Sequence, residues 1–481
     1  MTGKRKKKIK FLTIYNTFSK AEKTEFHIFL KSNQSARKRD YEGILSSLKI
    51  NELGIIDFDE TKSSITRWNI LSELNLHAEN FLIIKTLESE NSIKKNLLLK
   101  AFEVRNLHSP FEQRYKAFKK DIINKPFVNY DYDNFYKLDL SYLKFQSSNS
   151  LSKNNFKKLS DIQNSRMGVV LSEMLEMLLH RKVHKITKQI NSDSLVEELS
   201  SVINFDKALV YLSDSSNYSN KLYHIIEFLY LLHKCFNDPA DKKSYIKAKK
   251  IFSVNLRSVA KEKRVDYYEL LINFNIECIN LLIPGAYEEL FSLIKEKLDE
   301  GIIHELENSN FVSNHFRNYV IVGLTLKKFK WTNNFLNKYG PALPAKLRNA
   351  NVLIGKASLM FAKKEYAQCF ETIKKIKKIN SYFFVDISVL KLKVLFELNK
   401  IVECHDELRK LKEFLRKDRL VVDYLIIYTR AFCKAFSLLL KLKENPISKN
   451  LNDLMVLYSD KNFIGKNWII KKAGDVKINR S

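Results

Sequence analysis

Glycine and proline are scarce, 11 and 7 in a chain of 481 residues. Together they fall far below the roughly 12% of an average soluble protein, which excludes a collagen-like repeat and argues against a turn-rich β sandwich. Cysteine is also thin. Cys235, Cys278, Cys369, Cys404 and Cys433 are odd in number, widely spaced and never in a CxxC pair, so neither a disulfide framework nor a zinc ribbon is indicated. They read as reduced thiols of a cytoplasmic protein. Long apolar runs are missing as well. The most apolar windows, Leu270 to Ile283 and Val421 to Leu442, hold Asn273, Asn275 and Glu277, or Asp423, Arg430, Lys434 and Lys441, each costly in hydrocarbon. Acidic residues are the minority charge, 54 against 83 Lys and Arg, for a formal net charge of +29.

What is present favours helices. Apolar residues reach 45% and aromatics 12%, too much for a disordered chain and enough for a large core. Residues 1–10, with Lys4, Arg5, Lys6, Lys7, Lys8 and Lys10, read as a basic flexible tail. A signal peptide is not expected, because Thr13 and Asn16 interrupt the apolar stretch and Ser19-Lys-Ala-Glu22 forms a helix capping box. An alternative lets the tail, with Ile9, Phe11, Leu12 and Tyr15, lie on an anionic membrane surface; this is the weaker expectation.

Residues 11–150 read as an N-terminal helical module. Helices are expected over Lys20 to Lys31, Tyr41 to Lys49, Ile65 to Leu107, Phe111 to Ile123 and Asn134 to Gln146. Breaks fall at Gly54 to Asp57, Ser109-Pro110 and Lys125-Pro126, because the residue before proline is pushed out of the helical region. Ser147 to Ser152 is the most linker-like stretch. Residues 151–310 read as irregular helical hairpins, opening with an apolar stripe of Met167, Val170, Leu171, Met174 and Leu178. Ser194 and Glu197 supply a second capping box.

A recurring unit emerges further on. An apolar helix ends in a polar turn, and a large residue then opens a second helix, often with a small residue three positions later. The openers are Phe205, Tyr245, Tyr287, Trp331, Tyr366 and Ile401, spaced by 40, 42, 44, 35 and 35 residues. The last three units align without gaps in the columns Leu326, Phe361, Phe396; Trp331, Tyr366, Ile401; and Asn334, Cys369, Cys404. A hairpin of this kind cannot bury both apolar faces alone, so stacking on neighbours supplies the core. The expectation is an all-α protein, an α-solenoid of helical hairpins, with residues 311–481 as regular repeats and C-terminal capping helices.

Around Asn351 to Ile379 the unit resembles a tetratricopeptide repeat. Ala357 stands at the small position of the first helix, Lys363-Lys364-Glu365-Tyr366 matches the turn, Cys369 replaces the usual alanine, and Ile373 and Ile376 hold later core positions. Glycine is missing from the turn, Lys356 stands where Leu is expected, and the terminal proline is absent. The likeness extends over Phe311 to Leu415, weakens over Leu195 to Leu306 and is absent from the first 150 residues. It implies a scaffold for a protein or peptide partner. The two ends, Phe18-Ser-Lys-Ala-Glu22 with Phe26, Phe29, Leu30 and Ser32, and Trp468-Ile-Ile470, are similar to a group of all-helical proteins of the Bacteroidota, which implies no particular activity.

Templates for chemistry fail one after another. Gly355-Lys356 and Gly465-Lys466 lack the upstream glycine and the hydroxyl residue of a P-loop, and neither GxGxxG nor GxSxG occurs. His180 and His184 share a helix face with Glu176, but the residue after the first histidine, where a zinc protease needs glutamate, is Arg181. Asp57, Asp59 and Glu60, and Asp131 and Asp133, precede expected helices and read as caps. No catalytic, cofactor or metal residue is therefore assigned, and the chain is expected to be non-enzymatic.

Charge gives the remaining signal. Lys374, Lys375 and Lys377 recur 35 residues on as Arg409, Lys410 and Lys412. A solvated helix face explains them most simply; the alternative is a basic stripe that engages nucleic acid phosphates. Groove-facing candidates for a partner are Asn351 and Asp386, and Ser358 and Lys393, each pair one repeat apart. Oligomeric state is not readable from the sequence.

Overall fold

The chain enters its first helix at Lys10, and the burial begins at once. A computed structural model describes residues 10–32, 39–47, 49–50, 56–57, 64–89, 91–124, 136–144, 153–186, 194–214, 220–303, 311–376, 381–417, 423–445, 452–456 and 463–478. Among these the protein is helical, apart from one two-residue antiparallel ladder in which β1 (Lys49–Ile50) pairs with β2 (Ile56–Asp57). Two compact units divide between Met167 and Gly168, with 126–128 assigned to the second. No helix among the described residues is long and apolar enough to cross a membrane.

The first unit holds α1 (Lys10–Tyr15), α2 (Lys20–Ser32), α3 (Tyr41–Ser47), α4 (Ser64–Ser89), α5 (Asn91–Val104), α6 (His108–Asn124) and α7 (136–144). Ile70, Leu71, Leu74, Ala78 and Phe81 recur at helical spacing along α4 and meet Phe11, Leu12, Tyr15, Phe26 and Leu30. Phe11, Leu12 and Tyr15 are thus core residues, which overturns the reading that they dock on a membrane surface; residues 1–9 of the basic tail lie outside the described set. The first capping box forms as expected. Ser19 N–H donates to Glu22 Oε2 at 2.7 Å, and Glu22 N–H donates to Ser19 Oγ at 3.2 Å.

One expected boundary shifts. The helix expected over Ile65 to Leu107 is described as Ser64–Ser89 and Asn91–Val104, with residue 90 outside the described residues. A break falls at Arg105 to Leu107, where Asn106 takes a left-handed φ of 54° and Leu107 N–H donates to Phe102 O at 3.0 Å. Pro110 therefore sits inside the first turn of α6, where a missing N–H costs nothing. Asp57 lies in β2 and not at a helix cap, whereas Asp59, Glu60, Asp131, Asp133 and the stretch Ser147 to Ser152 lie outside the described residues.

Helix α8 (Lys153–Ile186) carries the boundary between the units. Its buried line runs through Val169, Ser172, Met174, Leu175, Leu178 and Leu179, while Met167 and Val170 are exposed. The expected stripe was displaced because apolar residues lie on both faces of this helix and period alone cannot choose between them. The second capping box is incomplete: Ser194 Oγ accepts from Val196 N–H at 3.4 Å, and the Glu197 carboxylate turns to Lys185 at 2.7 Å and Arg181 at 3.2 Å.

The second unit continues through α9 (Leu195–Val202), α10 (Phe205–Asp214), α11 (Asn220–Asn237), α12 (Lys242–Val254), α13 (Lys261–Asn280), α14 (Ala286–Asp299), α15 (Ser313–Thr325), α16 (Phe329–Tyr339), α17 (Ala345–Ala362), α18 (Tyr366–Lys374), α19 (Ser381–Glu397), α20 (Ile401–Lys417), α21 (Asp423–Glu444), α22 (452–456) and α23 (Lys466–Ile478). Successive helices pair as hairpins: α11 with α12, α13 with α14, α15 with α16, α17 with α18 and α19 with α20. Helix α17 also packs on α15, α16 and α19.

The last three of these hairpins turn in the same way, as does α13–α14, where Leu282 has φ 59° and Ile283 N–H donates to Cys278 O at 2.8 Å. Lys327, Lys364 and Asn399 adopt left-handed φ values of 54°, 66° and 58°. The following N–H donates back to the helix, Lys328 to Gly323 O, Glu365 to Met360 O and Lys400 to Leu395 O, at 2.8 to 2.9 Å. These are Schellman caps, which use up the last free carbonyls of the first helix. They also set the register, and it differs from the expected one. The strides are 37 and 35 residues, so the residue equivalent to Tyr366 and Ile401 is Phe329, and the equivalent of Phe361 and Phe396 is Leu324. The buried small position is Thr332, Cys369 and Cys404, all 0% exposed, whereas Asn334 is exposed. Trp331 instead packs edge-on to Phe291 of α14 at 4.8 Å, between ring centroids.

Candidate functional site

Once counted from the left-handed turn residues, the first helices of the three hairpins face one another in register. The residues six positions before each turn are Ile321, Ser358 and Lys393, and those ten before are Arg317, Ile354 and Val389. All six line one cavity of about 290 Å³, together with Asn351, Gly355, Asp386 and Ile464. The structure therefore brings the four groove candidates Asn351, Ser358, Asp386 and Lys393 to a single place.

Each polar group there has a distinct situation. Asn351 is 4% exposed and donates from Nδ2 to Leu347 O at 2.9 Å. Asp386 is held by Arg317, whose Nη2 donates to Oδ1 at 2.7 Å while Nε donates to Oδ2. This fork neutralises the carboxylate. Lys393 Nζ has no hydrogen-bond acceptor among the described residues; it lies 5.8 Å from the Trp468 ring centroid and against Gly465. Burial pushes its ammonium down to about 8, against the opposing pull of Asp386. A side chain at Gly465 would meet Lys393 Nζ at 2.6 Å, so the left-handed glycine (φ 72°) leaves the space the lysine fills. Two cations and one carboxylate in walls of Phe316, Ile354, Phe383 and Leu390 leave one positive charge in an apolar setting.

The cations of the basic stripe differ in their surroundings. Lys374 is paired with Glu371 at 2.7 Å and lies 4.5 Å over the Phe370 ring. Lys375 and Lys410 are exposed, and Lys377 is outside the described residues. Arg409 and Lys412 line a groove between α20 and α21. That groove is built of two joined cavities of about 510 and 580 Å³, sharing Lys412, Arg416, Ser437 and Lys441. Lys412 donates to Ser437 Oγ at 3.0 Å and Arg430 to Leu415 O at 3.2 Å. Among the described residues no carboxylate pairs with Lys412, Arg416, Arg430, Lys434 or Lys441; Arg409 meets Asp406 at 3.1 Å. Sequence reasoning missed Arg416 of α20 and Arg430, Lys434 and Lys441 of α21 as a set, because Arg416 has no cationic counterpart 35 residues earlier and α21 lies outside the repeat comparison. The spacing of four and seven among the α21 cations was the available signal.

The remaining candidates are occupied by structure. Glu176 receives Lys263 at 2.7 Å and the Tyr267 hydroxyl at 3.3 Å, so it does not join His180 and His184. His405 meets Glu444 at 2.8 Å. Among the described residues no three His, Cys, Asp or Glu side chains stand together as a metal site would require. The five thiols are all buried, and burial pushes them up, Cys278 to about 11 and Cys235, Cys369, Cys404 and Cys433 to about 12. None is a ready thiolate near neutral pH. Cys369 and Cys404 use their sulfurs alike, Sγ donating to Ala357 O at 3.1 Å and Leu392 O at 3.9 Å, 35 residues apart in both members. Compared with protein family models, curated proteins and solved structures, the chain matches none.

Proposed function

We propose that this chain is a tetratricopeptide-like α-solenoid that acts as a non-enzymatic scaffold, with a protein or peptide partner docking in the cavity among α15, α17 and α19. One observation carries the reading: equivalent positions of three successive first helices line that cavity, with Lys393 left without a hydrogen-bond acceptor among the described residues. An apolar pocket with a few convergent polar groups is the usual form of a recognition site. Its single uncompensated positive charge favours a partner segment that brings one acidic group flanked by apolar side chains. The five cysteines are all free thiols, which suits a reducing compartment such as the cytoplasm.

Panning the full chain against a displayed peptide library tests this. Enriched peptides should share an acidic residue beside apolar ones, and lose binding at least tenfold to Lys393→Glu and to Ser358→Trp. Enrichment without a common feature, or equal binding to both variants, would refute it.

A separate observation favours a second reading, association with nucleic acid. The groove between α20 and α21 gathers cations without matching carboxylates among the described residues.

A further inference from the structure

The groove between α20 and α21 has a more particular geometry than a basic surface. On α20 the cations Arg409, Lys412 and Arg416 follow at steps of three and four; on α21 Arg430, Lys434 and Lys441 follow at four and seven. Each set therefore keeps to one face of its helix, and both sets line the paired cavities between the helices. At 1.5 Å per residue the rows extend about 10 Å and 16 Å. Glu413 is the only carboxylate among the described lining residues, about one helical turn from both Arg409 and Arg416 on α20; the cavity that Arg430 and Lys434 line has none.

We propose that this groove holds the sugar–phosphate backbone of a nucleic acid and reads no bases; the inference rests on the nucleic-acid reading above and gives it a site. Charge complementarity selects the occupant. Duplex phosphates on one strand recur every 3.4 Å along the axis, so rows of about 10–16 Å face roughly three to five of them. The apolar lining is Leu408, Leu415, Leu438 and Cys433, with no Phe, Tyr or Trp among the described lining residues; the one imidazole, His405, is tied to Glu444 at 2.8 Å. Stacking platforms, the usual means of gripping unpaired bases, are therefore not part of this groove. Phosphate contacts position a polymer without specifying its sequence. The net charge of +29 adds long-range attraction to the same class of ligand.

The test is fluorescence anisotropy with the full chain and 20-nucleotide probes, a mixed-sequence duplex and two unrelated single strands, at 50 and 200 mM salt. Wild type should bind all probes at 50 mM salt with affinities within about threefold of one another, and weaken on the duplex by roughly 40- to 500-fold between the two salts, as three to five phosphate contacts require. The triple variant Arg416→Glu, Lys434→Glu, Lys441→Glu should bind at least tenfold more weakly. A matched control, Lys242→Glu, Lys250→Glu, Lys261→Glu, removes the same charge from exposed positions on α12 and α13 and should lose less than threefold. Circular dichroism establishes that both variants keep their helices; if the groove variant unfolds, Lys434→Gln with Lys441→Gln replaces it, with a loss of at least threefold expected. Equal losses in groove and control variants would overturn the groove while leaving diffuse nucleic-acid binding intact. Absence of wild-type binding at 50 mM salt would overturn the nucleic-acid reading itself. Retention of poly-glutamate or phosphatidylserine vesicles above either nucleic acid would also overturn the proposal, assigning the groove to an acidic protein or a lipid surface.

Discussion

Lys364 and Lys393 show how single side chains carry opposite costs in this protein. Lys364 stands in the left-handed region that glycine occupies without penalty, at φ 66°. A residue with a Cβ costs about 1–2 kcal/mol there, partly offset by the freedom glycine gains when unfolded. Lys364→Gly should therefore stabilise the second unit by roughly 0.5–1 kcal/mol, read as a higher denaturant midpoint with an unchanged slope. Lys393 bears its cost through charge. Its folded pKa of about 8 lies below the ordinary lysine value of 10.5, so between these pH values the unfolded chain binds more protons than the folded one. Stability should rise with pH across that window, and the burial cost is felt in full below it. Lys393→Met is expected to be more stable than wild type at pH 7, on the order of 2 kcal/mol, and the gap should close by about pH 10.5. A pH-independent difference would show that the ammonium is not desolvated.

Elements depend on how closely they approach. Gly323 of α15 faces α16, where an added Cβ would meet Thr332 Oγ1 at 2.4 Å and the Trp331 ring at 3.0 Å. Gly323→Leu should part the two helices and cost about 1–3 kcal/mol, measured as a lower melting temperature of the second unit. The same contact explains where the sequence misled. Trp331 looks like a repeat opener because it is large, aromatic and 35 residues before Tyr366. The hairpin is set instead by the backbone of Lys327, and a lysine gives no sign that it will adopt a glycine-like φ. The helical hairpins, the Ser19–Glu22 box and the Cys369 and Cys404 positions were legible, because period and caps are local properties. The cavity was legible only through the pairs Asn351 and Asp386, and Ser358 and Lys393. The Arg317–Asp386 fork joins residues 69 apart and depends on packing that no local pattern encodes. The α20–α21 groove was half legible, since Arg409 and Lys412 belong to the repeat and their α21 counterparts do not.

At the scale of the whole molecule, two units with separate cores should unfold separately. Phe26, fully buried among Phe11, Tyr15, Phe18 and Phe81, anchors the first. Phe26→Ala should cost about 3–5 kcal/mol, and calorimetry should show one transition moved down while the other stays. The scaffold reading, meanwhile, stands on the second unit's cavity. Hydrogen–deuterium exchange of the full chain, with and without a peptide enriched by panning, tests it most directly. Added protection is expected in α15, α17 and α19, over residues 313–325, 345–362 and 381–397. Protection confined to other helices, or none at saturating peptide, would contradict the account.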